Sequence, residues 1–304
     1  MPTLQATLPI VGPYDLDRTM GVLTMGRGNP CLRHNEATAQ LTLHTPEGQV
    51  AIAANRSGEA LHVFADGPGS VWVEPHLAAI FGLEDDPSDF QPGGRLQRAA
   101  DELAGLRLPR LPVVTERLIQ VVLQQLISFR DACRAWRRLV QRYGEEVPGS
   151  EGLFHAPTAE RLGRLAVHEL MACDVPPKHA RLVLTVAKLS AGLERLWDGG
   201  REPEAIDRLC EFLEKQPGIG PWTTGYLRGA GLGDADAVVL GDYGHPHQVA
   251  YFFTGEERGD DEQMLRLLEP YRPHRFRVLM LLILATPAPP RHGPKRRPLR
   301  ERFR

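Results

Sequence analysis

Apolar and polar residues alternate along much of the first hundred residues of the chain. The pattern is clearest in residues 38–69, TAQLTLHTPEGQVAIAANRSGEALHVFADGPG, where turn signals stand at Pro46-Glu47-Gly48 and Arg56-Ser57-Gly58. A period of two residues is typical of strands that bury one face. We therefore predict two or three antiparallel strands here, followed by a short helix at residues 76–83.

Beyond residue 110 the apolar residues recur at helical spacing. One long helical pattern covers residues 115–143, with Thr115 as its predicted N-cap. Prolines stand at the expected starts of later helices, at Pro157, Pro176, Pro177 and Pro203. These patterns predict an α+β fold. A mixed α/β domain with an antiparallel sheet at residues 1–108 is followed by an all-α domain at residues 109–286.

Composition narrows the class of protein. The chain has 304 residues, of which 42% are apolar and 24% charged, as expected of a globular protein with a core. The formal net charge of -2 carries no nucleic-acid signature by itself. The four cysteines are scattered without a C-x-x-C pair, so neither a zinc site nor an iron–sulfur cluster is predicted. Since no apolar run reaches the ~20 residues of a membrane span, we expect a cytoplasmic protein.

The end of the chain has a different composition. Residues 287–304, PAPPRHGPKRRPLRERFR, contain seven lysines or arginines and five prolines. Such a segment cannot bury a core, so we expect a disordered tail. A solvated tail and an arm that binds phosphate groups without sequence preference both fit this composition.

A sharp turn interrupts the helical pattern in residues 213–229, LEKQPGIGPWTTGYLRG. We predict that one helix ends near Lys215 and the next begins near Pro221. Gly218 and Gly220 between them permit positive φ and leave their amides accessible. Amides at a helix N-terminus bind phosphate groups readily. A plain helical corner with C-cap glycines is the other interpretation.

Three polar or aromatic residues follow this turn. Trp222 and Tyr226 are four residues apart and therefore share one helix face. Asp242 comes 20 residues after Trp222 (242 − 222), just ahead of another helical run. Its carboxylate is therefore expected at or near a helix N-terminus, where an ordinary N-cap is the alternative role.

Together these features resemble the helix–hairpin–helix DNA glycosylases, specifically the AlkA-type 3-methyladenine DNA glycosylase II family. The family motif P-G-[IV]-G-x-W-T-A-x-Y reads PGIGPWTTGY at residues 217–226, and Asp242 stands at the place of the catalytic aspartate. Further segments resemble the family at residues 12–23 (GPYDLDRTMGVL), 106–112 (LRLPRLP), 124–128 (QQLIS) and 154–165 (FHAPTAERLGRL). The likeness covers most of the chain up to residue 286.

The resemblance implies two groups of DNA contacts and a cation site. Hairpin residues would grip a backbone phosphate beside the damaged base, and they are Pro217, Gly218, Ile219, Gly220 and Thr223. Gln125 would also contact DNA, and Leu126 would be the apolar wedge that fills the gap left by the flipped base. The backbone carbonyls of Glu214, Gln216 and Gly218 would hold a structural Na⁺ or K⁺. No other cofactor is implied.

The resemblance also assigns a base pocket. Trp222, Tyr226 and His274 would line it, where an electron-rich aromatic face attracts a cationic, alkylated base. His274 stands where the family often has a tryptophan, which leaves the exact substrate open. Asp242 would be the catalytic carboxylate. It would stabilise positive charge at C1′ as the base departs and orient or deprotonate the attacking water.

The implied function is that of a monofunctional DNA glycosylase. Lyases of the superfamily carry a lysine that forms a Schiff base, and the matching position in this chain is Trp222. The enzyme would release 3-methyladenine or 7-methylguanine type bases from double-stranded DNA as a monomer of the bacterial nucleoid, and so initiate base excision repair. A same-fold glycosylase for a different damaged base and a non-catalytic DNA-lesion-binding module stay open as alternatives. His245 and His247 form an H-x-H pair, a weak metal motif.

Overall fold

The computed structural model describes residues 3–197, 199–200 and 202–290. The predicted basic tail therefore lies outside the described residues from position 291 onward. The strands are β1 (Thr3–Pro9), β2 (Leu32–His34), β3 (Thr38–Thr45), β4 (Gly48–Ser57), β5 (Ala60–Asp66), β6 (Glu145–Glu146) and β7 (Phe154–His155). The helices are α1 (Leu16–Gly21), α2 (Ser70–Val73), α3 (Leu77–Ile80), α4 (Gly94–Glu102), α5 (Thr115–Gln124), α6 (Phe129–Tyr143), α7 (Ala159–Gly163), α8 (Val167–Met171), α9 (Pro177–Leu196), α10 (Pro203–Glu214), α11 (Pro221–Gly231), α12 (His245–Thr254), α13 (Asp261–Leu268) and α14 (Arg275–Ala285).

The N-terminal sheet is antiparallel, as predicted, and its strand order is β1-β5-β4-β3-β2. It has five strands rather than the two or three expected. The extra strands are β1, which pairs along its full length with β5 from Thr3↔Asp66 to Pro9↔Ala60, and the three-residue β2. The β3–β4 turn places Gly48 at φ +124, a conformation that only glycine adopts easily. The predicted α+β fold class is confirmed.

Buried apolar side chains form three clusters. The sheet core lies between the large sheet and α1 to α3, around Ile52. The central helical core joins α5, α6, α9 and α10 around Trp136. The C-terminal helical core joins α4 with α12, α13 and α14 around Phe276. Because α4 packs on α14, the segment before residue 108 takes part in a core that is otherwise built by the end of the chain.

Helix α11 contributes to both helical cores. Leu227 is buried in the central helical core, and Ala230 is buried in the C-terminal helical core. Gly229 lies between them, and a Cβ placed there would stand 2.3 Å from the ring of Phe276. The absence of a side chain at this position therefore lets α11 approach α14 closely. One end of α11 is thus held firmly between two packed layers, while its other end starts at the predicted turn.

The prediction of one long helix over residues 115–143 is wrong, because this segment forms two helices, α5 and α6. The break lies at residues 125–128, and Leu126 has a φ of +56. Thr115 is the first residue of α5, and the N-cap position belongs to Val114, whose side chain cannot accept a hydrogen bond. Glu194 of α9 takes over this role, since its carboxylate accepts hydrogen bonds from the amides of Val114 at 3.0 Å and Thr115 at 2.8 Å.

The four cysteines, Cys31, Cys133, Cys173 and Cys210, are free thiols. Within the described ranges, no helix is both long and apolar enough to cross a membrane.

Candidate active site

The predicted turn is a hairpin between α10 and α11. Gly218 has a φ of +93, but Gly220 is extended at φ -138, so only the first glycine uses the left-handed region. Ile219 is 5% exposed and is buried in the central helical core. Its amide donates to the carbonyl of Gln216 at 3.1 Å, which closes the turn. The hairpin is therefore anchored by its middle residue, with the glycines on either side of it nearer the surface.

The hairpin presents backbone amides that have no partner within the protein. Across the described residues, the amides of Gly218, Gly220 and Trp222 donate to no protein acceptor. A Cβ added at Gly220 would meet nothing within 4 Å, so this residue borders open space. Because α11 starts here, its dipole adds positive potential at the same place. These features favour the binding of an anion such as a phosphate.

The break between α5 and α6 lies beside this hairpin. The side-chain amide of Gln125 donates to the Thr223 hydroxyl at 2.8 Å and to the Gly218 carbonyl at 3.1 Å. The ring of His179 on α9 donates from Nε2 to the Gln125 carbonyl at 2.7 Å. Leu126 follows directly and is 76% exposed. A leucine held at positive φ is rare and strained by ~1–3 kcal/mol, and such outliers cluster at functional sites.

Two aromatic rings lie on one face of α11, as predicted. The ring centroids of Trp222 and Tyr226 are 5.4 Å apart, and both side chains pack against the C-terminal helical core. A third ring, His245 at the start of α12, stacks on Tyr226 at 6.1 Å. Burial raises the pKa of Tyr226, and the nearby charge of Asp242 adds to this shift. The three rings form one aromatic wall next to the carboxylate.

The carboxylate of Asp242 uses its two oxygens differently. Oδ2 accepts a hydrogen bond from the Trp222 indole Nε1 at 2.8 Å. Oδ1 accepts from the amides of Gly244 at 2.7 Å and His245 at 2.9 Å. Oδ1 thus binds two amides at the start of α12, whose N-cap position belongs to Gly244, while Oδ2 faces the aromatic wall. Burial favours a higher pKa, but the interaction with His245 and these hydrogen bonds outweigh it and hold the Asp242 pKa below its ordinary value.

Two residues at this site were not identified from the sequence as parts of the pocket. His245 was considered only as half of a metal motif. Arg117 of α5 is 3% exposed and lies behind Tyr226, where its charge acts on the phenol. Its guanidinium donates to the carbonyls of Val22 at 3.1 Å and Leu23 at 3.0 Å, and burial lowers its pKa to about 10. An arginine in an amphipathic helix ordinarily lies on the solvated face, so the neighbouring sequence did not identify Arg117 as a residue of the site.

The structure places His274 apart from the aromatic wall. Its side chain is 5% exposed, with Nε2 at 2.7 Å from Asp89 Oδ1 and the ring at 5.2 Å from Phe90. Arg277 Nε donates to the other ring nitrogen at 3.3 Å. Among the described rings His274 contacts Phe90 and not Trp222. The pocket role of His274 therefore stays a prediction, and the contacts seen hold the loop that contains Asp89 and Phe90.

The carbonyls expected to hold a cation lie on the hairpin. The Gly218 carbonyl accepts one hydrogen bond from Gln125 at 3.1 Å, and the Gln216 carbonyl accepts one from the Ile219 amide at 3.1 Å. A carbonyl oxygen has two lone pairs, so each keeps one for a cation. The H-x-H motif gains no support as a metal site, because no group of three or more His, Cys, Asp or Glu able to hold a metal occurs in residues 3–197, 199–200 and 202–290.

Comparison with known proteins finds relatives of similar sequence, among them proteins of Mycobacterium tuberculosis and Bacillus subtilis. No family model matches the chain. A protein of Mycobacterium tuberculosis named "probable bifunctional transcriptional activator/DNA repair enzyme AlkA" is 25% identical over 251 residues, which are 80% of this chain and 49% of that protein. The chain thus spans about half the length of that relative. The "DNA-3-methyladenine glycosylase" of Bacillus subtilis is 22% identical over 280 residues, 88% of this chain and 91% of that protein.

The fold also matches a solved structure. The 3-methyladenine DNA glycosylase of Archaeoglobus fulgidus superposes with a TM-score of 0.76 at 20% identity, covering 91% of this chain and 97% of the other. The chain therefore has the fold of the helix–hairpin–helix DNA glycosylases. The resemblance to AlkA-type 3-methyladenine DNA glycosylases predicted from the hairpin, the tryptophan and the aspartate is confirmed.

Proposed function

We propose that this chain, with its helix–hairpin–helix glycosylase fold, is a monofunctional DNA glycosylase that removes alkylated bases. The reaction is hydrolysis of the N-glycosidic bond, which leaves an abasic site. The observation that carries this proposal is the carboxylate of Asp242, hydrogen-bonded to the Trp222 indole at 2.8 Å beside an aromatic wall. The names of the two relatives support the substrate class.

DNA binding is assigned to the hairpin and to the break before α6. The open amides of Gly218 and Gly220 are suited to a phosphate of the strand that carries the damaged base. Leu126 projects from a loop that Gln125 holds against the same hairpin. Unstacking the target nucleotide from the duplex costs a few kcal/mol of free energy. An exposed leucine at this place can fill the vacated space and offset part of that cost.

The aromatic wall supplies selectivity for the flipped base. An alkylated purine carries a positive charge, and the faces of Trp222 and Tyr226 attract a cation by ~0.5–2 kcal/mol. A normal base is neutral and lacks this attraction. The same alkylation makes the base a good leaving group, so the site requires little acid catalysis of its departure.

Asp242 acts on the sugar. Positive charge develops at C1′ as the bond to the base breaks, and a fixed carboxylate in a partly buried site stabilises that charge. The low pKa of Asp242 keeps it ionised over the working pH range. The lysine that a lyase would need is absent at position 222, which is tryptophan, so the product is an abasic site rather than a nicked strand.

The remaining assignments complete this proposal. The partner is double-stranded DNA that contains damaged bases, bound by a monomer at the bacterial nucleoid. The free lone pairs of the Gln216 and Gly218 carbonyls fit a structural Na⁺ or K⁺, with the Glu214 carbonyl as a third ligand. The cation would hold the hairpin in shape for the phosphate and takes no part in bond breaking.

The test is release of bases from methylated duplex DNA by the wild type and by Asp242→Asn, with products separated by chromatography. Wild type should release 3-methyladenine or 7-methylguanine, and the variant should be slower by at least ~10²-fold. Because an asparagine side-chain oxygen can also accept from the Gly244 and His245 amides, α12 and the binding of duplex DNA should be retained. Asp260→Asn is the matched control, since Asp260 caps α13 through the Gln263 amide at 2.8 Å, and it should keep full activity.

Each other result has a definite meaning. Equal release by wild type and Asp242→Asn would contradict the role of Asp242. Release of an oxidised or deaminated base instead would assign a different substrate to the same fold. No release by wild type, with tight binding to abasic-site DNA, would make the protein a lesion-binding module.

A further inference from the structure

His245 lies between Tyr226 and Asp242, next to the aromatic wall. Its ring stacks on Tyr226 at 6.1 Å with an interplanar angle of 24°. Its Nδ1 is 3.7 Å from Asp242 Oδ1. His245 is the first residue of α12, and 12% of its side-chain surface is exposed. A titratable ring is therefore built into the wall beside the carboxylate.

The two ring nitrogens are in different surroundings. Nδ1 is buried and has no hydrogen-bond partner in the described part of the chain. A buried polar atom of this kind is unusual, and such an atom calls for an explanation. With the proton on Nδ1, the N–H dipole points at the ionised Asp242. Nε2 then carries the lone pair, and unlike Nδ1 it is not among the buried atoms without a partner in the described residues.

The charged and titratable groups around the ring favour this arrangement. Asp242 faces it from the preceding loop, and Tyr226 faces it from α11, with Arg117 of α5 behind the phenol. Burial lowers the pKa of His245, and the charge of Asp242 opposes this shift only in part. At neutral pH the imidazole is therefore neutral and able to accept a proton. A purely structural wall residue would not need a lone pair here, because phenylalanine fills the same space.

We propose that His245 is the general base of the proposed glycosylase reaction, with the charge of Asp242 Oδ1, 3.7 Å from Nδ1, favouring the proton on that nitrogen. This inference rests on the proposed function. The bond between C1′ and the base nitrogen breaks, and its electron pair leaves with the base, which becomes neutral. The water oxygen forms a bond to C1′, and one of its protons moves to His245 Nε2. Asp242 Oδ2, which also accepts from the Trp222 indole, stabilises the positive charge at C1′.

The pH dependence of base release tests this division of roles. His245→Phe keeps a ring on Tyr226 but cannot accept a proton. Single-turnover release of 3-methyladenine from methylated duplex is measured between pH 5 and pH 8. For wild type the rate should fall about tenfold per pH unit below the His245 pKa. His245→Phe should be ~10²-fold slower at pH 8, at the low end for a lost general base, and its rate should be level across this range.

Controls separate a structural role from a chemical one. His247→Phe replaces a histidine on the same helix that contacts the Gly259 carbonyl at 2.9 Å, and it should keep the wild-type pH profile. His245→Gln is a second variant, and it should also lose the acidic limb of the profile. Thermal melts show whether each variant is folded.

The outcomes for His245 and for the proposed function are distinct. A His245→Phe enzyme that is as fast as wild type, or slower by a constant factor with the acidic limb retained, overturns the assignment of His245 while the glycosylase function stands. No release of methylated bases by the wild type at any pH overturns the proposed function, and the assignment of His245 falls with it.

Discussion

Replacing Gly220 with alanine tests the hairpin as a phosphate site without disturbing the fold. The backbone at Gly220 is extended, at φ -138 and ψ -175, so any residue can adopt it. A Cβ there meets nothing within 4 Å. Alanine lowers the entropy of the unfolded chain, which stabilises by ~0.4–1 kcal/mol, but it is a poorer N-cap than glycine by a similar amount. The free energy of unfolding should therefore change by less than about 1 kcal/mol.

The effect on DNA binding should be much larger. A phosphate oxygen bonded to the Gly220 amide needs the open space that the new methyl group would occupy. A hydrogen bond to a charged group contributes ~1.5–3 kcal/mol. Since 1.4 kcal/mol is a factor of ten, the dissociation constant should rise by roughly 10- to 150-fold. The contrast between an unchanged fold and weak binding is the signature of a ligand site.

The assay is fluorescence anisotropy with a duplex that contains an abasic-site analogue, at one fixed salt concentration because phosphate binding depends strongly on salt. Urea unfolding gives the stability of the same samples. Gly192→Ala in α9 is the matched control, because a Cβ there also meets open space. It should raise stability by up to ~1 kcal/mol and leave binding unchanged. Wild-type affinity for Gly220→Ala would refute the assignment of this amide to a phosphate.

Two further variants separate function from stability. Leu126→Ala should change the free energy of unfolding by less than ~0.5 kcal/mol, because Leu126 is 76% exposed. It should slow single-turnover base release by roughly 10- to 100-fold, from the loss of ~1.5–3 kcal/mol of apolar contact with the gap in the duplex; an unchanged rate would exclude Leu126 as the wedge. Burial raises the pKa of Glu116 from 4.5 to about 8, so the folded protein binds a proton that the unfolded chain releases. Stability should therefore fall between pH 5 and pH 8 by up to ~4 kcal/mol, and urea unfolding of Glu116→Gln should lack that decrease.

Short-range chemistry explains the features that were predicted correctly from the sequence. The hairpin follows from Gly218, which takes positive φ, and from Pro221, which suits the first turn of a helix. Trp222 and Tyr226 share a face because a helix brings residues four apart together. Alternating apolar and polar residues predicted an antiparallel sheet because successive side chains of a strand point to opposite faces. The strands β1 and β2 were not predicted. These features depend on neighbours within a few residues, which the sequence shows directly.

Other features depend on partners far away in the chain. Residues 115–143 keep a helical pattern throughout, and the break at Leu126 coincides with bonds from Gln125 to Gly218 and Thr223, more than 90 positions away. Local propensity contains no information about such contacts.

The surroundings of two histidines, His245 and His274, also depend on contacts between separate elements. The resemblance to the family predicts His274 in the pocket, and the structure places its ring against Asp89, 185 residues away in sequence. His245 instead joins the aromatic wall, because α12 begins three residues after Asp242 and places this ring on Tyr226 of α11. The sequence by itself determined the hairpin, the aromatic pair and the carboxylate at the start of a helix. Only the tertiary structure decided which side chains surround that carboxylate, since burial and charge at a site depend on all the elements that meet there.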